Sequence, residues 1–237
     1  MEKSLGERFI FAYNKLDQGL RGIYNIKASL GFGEIIRKVA PINSIIKKYE
    51  DDLIEYGRLR NAIVHAAGDT LIAEPNEDVV EKLEQIARIV TTPPRVLDSI
   101  SKRKVYSVDG NTPLASVCEQ MFNSGYSIVP VYIKNTLVGV INRKMIVDSI
   151  GASIKAGVSV DNLLKEPVAT ALDVLNITNH YEVAPSSITI DSAIFMFQQN
   201  RKLSTVVITK NGNYSEEPIA VIVTSDLIDL QIVLDNY

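Results

Sequence analysis

The second half of the chain contains an internal repeat, and no other feature restricts the fold as strongly. Residues 106–108 (YSV) correspond to residues 181–183 (YEV) at an offset of 75 residues. Three further pairs of segments match in the same order, 117–122 with 192–197, 127–129 with 204–206, and 139–141 with 220–222. The offset grows to 81 residues at the last pair because the second copy has a longer turn. Insertions cost least in turns, so the shared pattern is that of a duplicated unit.

Each copy reads as strand, helix, strand, turn, strand and helix. In the first copy, two β-branched runs, residues 127–133 and 137–141, flank the turn Lys134-Asn135-Thr136. One copy is too short to bury both faces of a three-stranded sheet. We therefore expect the two copies to pack sheet against sheet about a pseudo-twofold axis.

The first part of the chain has apolar residues at helical spacing instead. A helix is predicted after Pro75, with Asn76 as its cap, and the pair Pro93-Pro94 must end it. The prediction is an α+β chain with a helical domain (1–92), a Pro-containing linker (93–97) and two βαββα copies (98–155 and 156–237). The two other predicted helical runs are Phe9, Ile10, Tyr13, Leu16, Leu20 and Ile42, Ile45, Ile46, Tyr49, Leu53, Tyr56, the second continuing to His65.

Composition excludes several classes of function. A single cysteine, Cys118, in an apolar helical pattern excludes a disulfide framework, and no Cys/His cluster has zinc spacing, so we expect no metal. No apolar run is long enough to span a membrane and the charged N-terminus is unlike a signal peptide, so we expect a cytoplasmic protein. Phosphate-loop, Gly-x-Ser-x-Gly and dinucleotide motifs are absent from the sequence, which disfavours the enzymes that use them.

The repeat resembles a tandem pair of CBS domains, the module named for cystathionine β-synthase. Members carry the pattern Gly-Φ-Φ-Thr-x-x-Asp-Φ, where Φ is apolar, at the last strand and the following helix. The second copy has AVIVTSDL at residues 220–227, which keeps the aspartate as Asp226 but has Val223 at the threonine position. The first copy has GVINRKMI at residues 139–146, which keeps the glycine but has Met145 at the aspartate position.

The resemblance implies an adenine-containing ligand in the cleft between the copies, either AMP, ADP, ATP or a cyclic dinucleotide. An aspartate at a helix start can accept from both ribose hydroxyls, while the helix N-terminus favours phosphates. Asp226 is therefore the predicted ribose contact, unless it only caps its helix. The other predicted ligand contacts of the second copy are Thr224, Ser225, Val183, Ser204 and Val206, with Arg201 and Lys202 as further phosphate candidates.

The first copy is predicted to bind less well because Met145 cannot accept from a ribose. Asn142, Arg143 and Lys144 still lie at a helix start and could contact phosphates. We therefore expect one good nucleotide site at most. His180, beside the first strand of the second copy, is expected at the surface.

The helical domain contains the sequence RNAIVH at residues 60–65. Asn61 and His65 share a helix face, whereas Arg60 is turned by about 140°. The simpler interpretation is that His65 favours the helix C-terminus and that Arg60 pairs with Glu55 or Asp69.

The same motif resembles that of the HEPN superfamily of small helical domains that commonly dimerise. In its active members, such residues form a metal-independent ribonuclease site from two subunits. The resemblance implies that His65 would transfer protons, Arg60 would neutralise charge on the phosphorane and Asn61 would orient the attacked group. Residues 1–94 carry 13 Lys and Arg against 14 Asp and Glu, and this near-neutral balance argues against general RNA binding.

Three functions follow as hypotheses. The first is a regulatory, non-enzymatic protein that binds an adenine nucleotide and forms a homodimer or binds a protein partner through its helical domain. The second is a nucleotide-gated endoribonuclease that uses Arg60, Asn61 and His65, with RNA as the partner. The third is a structural scaffold in which both sites have degenerated.

Overall fold

A computed structural model describes residues 3–64, 74–100, 104–175 and 180–237. Across these residues, no helix combines the length and the apolar character needed to cross a membrane. The helices are α1 (Leu5–Ile23), α2 (Phe32–Val39), α3 (Ser44–Lys48), α4 (Glu50–Val64), α5 (Glu77–Thr91), α6 (Val96–Ser99), α7 (Leu114–Ser124), α8 (Arg143–Lys155), α9 (Val160–Lys165), α10 (Val168–Leu175), α11 (Ile190–Gln199) and α12 (Asp226–Asp235). The strands are β1 (Val108–Asp109), β2 (Ile128–Ile133), β3 (Thr136–Asn142), β4 (Tyr181–Pro185), β5 (Thr205–Thr209) and β6 (Ala220–Val223).

The chain divides into two compact units. One unit comprises Met1–Arg95, Thr189–Phe195 and Gln231–Tyr237, and the other comprises Val96–Ile188 and Met196–Leu230. The domain boundaries given above remain a prediction.

The first unit is built around α1 and α5. A capping box starts α1, whereas the side chain of Asn76, the predicted cap of α5, makes no capping hydrogen bond. Ser4 and Glu7 form a capping box, in which each side chain accepts from the other residue's backbone N–H, at 3.2 and 2.9 Å. Asn76 precedes α5 in an extended conformation, and α5 ends at Thr91 before the two prolines, as predicted. The predicted α1 face is buried, with Phe9, Leu16 and Leu20 fully inaccessible to solvent.

The predicted continuous helix from Ile42 to His65 is wrong in its first half. Residues Ala40–Ile42 form a 3₁₀ turn, α3 then ends at Lys48, and a separate α4 begins at Glu50. The side chain of Asn43 accepts from Ile46 N at 2.9 Å and so starts a new helix there. Apolar residues on both sides of the break are buried and keep a helical spacing in the sequence. For this reason the sequence pattern did not reveal the break.

The second unit contains both three-stranded sheets, and each copy of the repeat has the order strand, helix, strand, strand, helix. The sheets have the orders β1-β2-β3 and β4-β5-β6, and in each the first pair is parallel and the second antiparallel. Lys134 and Asn135 connect β2 to β3 with φ values of 48° and 62°, the two-residue turn that suits a hairpin twist. The α+β class and the repeat are confirmed.

The two sheets face each other through a small apolar core. Leu137 and Val140 from β3 pack with Val207 from β5, and all three are at most 3% exposed. The longer turn of the second copy also reaches the first copy, where Tyr214 O accepts from Leu137 N at 2.8 Å. The two copies are therefore joined by apolar packing and by a backbone hydrogen bond.

Candidate functional site

Asp226 lies at the first position of α12 and lines a cavity of about 800 Å³. Its Oδ2 atom accepts a hydrogen bond from Val223 N at 2.8 Å, which fixes the carboxylate at the junction of β6 and α12. The side chain is half-buried. One carboxylate oxygen is thus used by the backbone, and the other can accept from a ligand.

Two tyrosines from the first copy form an aromatic wall of this cavity. The rings of Tyr106 and Tyr126 are nearly parallel, at 16°, with centroids 5.9 Å apart. Tyr126 Oη donates to Lys104 O at 2.9 Å, so its ring is fixed on the segment that precedes β1. Both tyrosines are half-buried, and an aromatic ring that lines a cavity can stack on a nucleobase, because every base presents a π-face.

The charged residues that line the cavity, among those described, are Asp226, Asp229 and Lys104. Asp229 was not predicted, although its position three residues after Asp226 on a helix puts both on one face. Tyr106 and Tyr126 were not predicted either. In the sequence, Tyr106 stands out only as part of the repeat. That it lines a cavity depends on the second copy, which forms the opposite wall.

Several predicted contacts lie away from the cavity lining. Val206 is fully buried in β5, Val183 packs against the core between the sheets, and Ser204 Oγ donates to His180 O at 2.9 Å. Thr224 and Ser225 are exposed in the turn before α12 and flank Asp226. The reason is that the second copy supplies only β6 and α12 to this cavity, while the opposite wall comes from the first copy. Arg201 and Lys202 are exposed turn residues.

The polar residues of the first copy are engaged in local contacts. Asn142 caps α8 by accepting from Met145 N at 2.9 Å, and Lys144 pairs with Asp148 at 2.5 Å. Arg143 donates to the carbonyl oxygens of Gly125 and Tyr126 at 3.2 and 3.4 Å. Met145 is only 3% exposed.

The position equivalent to Ala220 in the first copy is Gly139, and it is covered by Leu172 from α10. A Cβ atom at residue 139 would lie 2.5 Å from Leu172 Cδ1. His180, which was expected at the surface, is instead 7% exposed, and its Nε2 lies 3.1 Å from Val140 O. A carbonyl oxygen only accepts, so Nε2 carries the hydrogen. The expectation failed because the residue is buried by the opposite copy, which local sequence does not reveal.

In the helical unit, the structure describes Arg60 and Asn61, whereas His65 lies outside the described residues. Arg60 Nη1 is 3.4 Å from Asn61 Oδ1, and the guanidinium lies over the Tyr13 ring, 5.9 Å from its centroid. Arg60 Nε is buried without a hydrogen-bond partner. Burial raises the pKa of Tyr13 to about 12, so that Tyr13 stays neutral beside the guanidinium.

The alternative pairing of Arg60 with Glu55 is not present. Glu55 instead pairs at 2.5 Å with Arg58, which is three residues after it on α4. Asp69, the other candidate partner, is outside the described residues.

Cys118 is half-buried, and burial raises the pKa of its thiol. Within the described ranges, His, Cys, Asp and Glu form no group of three or more that could hold a metal ion.

Comparison with solved structures gives low similarities. The chain is similar to the CBS domain of a bacterial CNNM/CorC family Mg²⁺ transporter in complex with ATP, at 19% identity over 64% of this chain and 97% of that chain, with a TM-score of 0.45. It is similar to the CBS domain of a membrane protein from Sphaerobacter thermophilus at 16% identity, 58% and 88% coverage and a TM-score of 0.44. It is also similar to a Methanocaldococcus jannaschii protein proposed as an archaeal homologue of γ-AMPK. The identity is 22%, the match covers 60% of this chain and 50% of that chain, and the TM-score is 0.45. TM-scores below 0.5 are too low for a functional comparison.

No curated protein sequence matches the chain at a significant level. Residues 97–152, about a quarter of the chain, match the family model described as the CBS domain. This segment begins before β1 and ends within α8, so it covers the first copy of the repeat. The chain therefore contains a CBS domain at residues 97–152.

Proposed function

We propose that the chain is a regulatory protein that binds an adenine-containing nucleotide in the cavity lined by Asp226. The observation that carries the proposal is the position of this carboxylate, at a helix start and facing a cavity with an aromatic wall. The cavity volume of about 800 Å³ lies within the range, roughly 300–1,000 Å³, that is usual for small-molecule sites. CBS domains commonly bind adenine nucleotides in regulatory roles, and the family match supports the same assignment.

Each wall of the cavity has a chemical task in this proposal. The free oxygen of Asp226 accepts from the ribose hydroxyls, and the base stacks on the Tyr106–Tyr126 pair. Lys104 is the described cation that can reach a phosphate at the rim. Ligand binding would stabilise one spacing of the two copies, which is how a ligand can report to a partner.

Calorimetric titration with AMP, ADP, ATP and cyclic dinucleotides tests the proposal. Asp226→Asn keeps an oxygen for the Val223 N–H but removes the charge, and we expect ligand affinity to fall about 10–100-fold. Asp173→Asn is the matched control, because Asp173 is exposed on α10 and is not a lining residue. Absence of heat and of a thermal shift with every nucleotide would leave the scaffold hypothesis.

The helical unit supports a second candidate, the nucleotide-gated ribonuclease. The observation that favours it is the buried, unpartnered Nε of Arg60, next to Asn61 in sequence. The terminal nitrogens of this half-buried guanidinium, and not its buried Nε, can bind a phosphate, and an imidazole can move the proton. In this candidate Arg60 and Asn61 act together with His65, and the active site forms between two copies of the chain.

The ribonuclease candidate is tested by incubating the full chain with single-stranded RNA, with and without each nucleotide. His65→Ala and Arg60→Ala should abolish cleavage, while Arg58→Ala, which removes the exposed Glu55 pair, should leave it unchanged. Equal cleavage by wild type and His65→Ala would reject this site. Analytical ultracentrifugation of the same samples tests the proposed homodimer, and a monomeric active enzyme would also contradict it.

A further inference from the structure

We infer that Asp229 lowers the affinity of the Asp226 cavity with each phosphate that a ligand carries, and so favours ribonucleosides with no phosphate or one phosphate. This inference rests on the proposed nucleotide function of the same cavity. It adds a residue that determines specificity and narrows the class of ligand from adenine nucleotides in general to those of low charge.

The position of Asp229 places a second carboxylate in the cavity wall. Asp226 and Asp229 are three residues apart on α12, so their side chains lie on one face, about 4.5 Å apart along the helix axis. Both residues line the cavity. A ligand whose ribose binds Asp226 therefore has Asp229 within one helical turn of the sugar.

The charges on the described lining residues do not favour a polyanion. Two carboxylates face Lys104 as the cation among these residues. Arg143 is near the same wall, but its guanidinium donates to the carbonyls of Gly125 and Tyr126 and belongs to a different cavity. Val223 presents an alkyl group at the end of β6, where a hydroxyl would help to bind phosphate.

The positive end of α12 does not compensate for the carboxylates. A helix N-terminus carries about half a positive charge and normally attracts phosphate. Here Asp226 and Asp229 are both in the first turn of α12, so the charge is already neutralised by the protein. Among the described lining residues, a second or third phosphate would therefore meet two carboxylates and one cation, Lys104.

The size of the effect follows from Coulomb's law. Two like unit charges about 7 Å apart repel each other by about 0.6 kcal/mol at a water-like dielectric constant. Each negative charge of the ligand at that distance from Asp229 therefore lowers the affinity roughly threefold. Adenosine carries no charge and a monophosphate carries about −1.5 to −2 at neutral pH, so the penalty rises with each added phosphate. Asp229→Asn should therefore leave adenosine affinity within about twofold, raise AMP affinity about five- to ninefold and raise ATP affinity by a larger factor than AMP affinity.

Calorimetric titration of the full chain with adenosine, AMP and ATP, without divalent cations and at low salt, tests the inference. Asp229→Asn should raise the ratio of ATP affinity to adenosine affinity, and Asp173→Asn should leave this ratio unchanged. Lys102 and Arg103 lie outside the described residues, and comparing Asp229→Asn with wild type isolates the carboxylate from them. High salt should reduce the effect of Asp229→Asn on this ratio, because exposed charges are screened.

The outcomes separate this inference from the proposed function. If wild type binds ATP most tightly and Asp229→Asn leaves the ratio of ATP to adenosine affinity unchanged, the nucleotide function stands and the selectivity is overturned. If none of the three ligands binds wild type, both are overturned. Tighter ATP binding by Asp229→Asn with unchanged adenosine binding supports the inference.

Discussion

Val140→Ala tests whether the two sheets face each other in solution. Val140 is fully buried between the sheets, in contact with the core that includes Leu137 and Val207. The change removes two carbons, which costs about 1.6 kcal/mol at ~0.8 kcal/mol per buried methylene. A residual cavity adds to this, so we expect the free energy of unfolding to fall by about 2–3 kcal/mol.

Val138→Ala is the matched control in the same strand. Val138 is 42% exposed, so the same deletion should lower the unfolding free energy by less than about 1 kcal/mol. Both variants lose the same β-propensity, and the difference between them reports burial alone. Urea unfolding followed by circular dichroism is the assay, since the chain has no tryptophan. Equal costs for the two variants would refute the face-to-face packing.

Two further predictions concern the helical unit and the long turn. Gly19→Ala should lower the unfolding free energy by about 1–3 kcal/mol because its Cβ would overlap a methyl of Thr91, whereas Gly22→Ala, with open space around it, should raise it by about 0.5 kcal/mol. Similar thermal midpoints for both would contradict the packing of α1 on α5. In the turn, hydrogen bonds from Asn211 lower the pKa of Glu216 to about 2. The contribution of the Glu216 carboxylate to the free energy of unfolding is fully present above its ordinary pKa of 4.5 and is lost as the pH falls towards 2. Acid should therefore lower the free energy of unfolding of wild type more than that of Glu216→Gln.

Much of the fold could be predicted from sequence because its signals are local. The α5 helix is bounded by Asn76 and by the two prolines, and the β2–β3 hairpin by Lys134 and Asn135. Each of these residues acts through its own backbone conformation. The repeat could also be found from sequence, because its two copies keep the same order of strands and helices.

The composition of the cavity wall could not be predicted in the same way. Asp226 was found through a motif, but the tyrosine pair of the first copy meets Asp226 and Asp229 of the second copy only when the two copies close on each other. The sequence of one copy contains nothing about the surface that the other copy brings to it. For this reason the apolar contacts were assigned to the second copy's own strands, where Val206 is in fact buried.

The hydrogen bond from Leu137 N to Tyr214 O has a consequence for solubility. β3 is the outer strand of its sheet, and outer strands present unpaired backbone groups that can recruit strands from other molecules. The long turn of the second copy occupies one of these groups, and Tyr132 Oη secures it by donating to Glu216 O at 3.0 Å. The turn between β5 and β6, which spans residues 210–219, thus covers part of an edge at which strands of other molecules could otherwise pair.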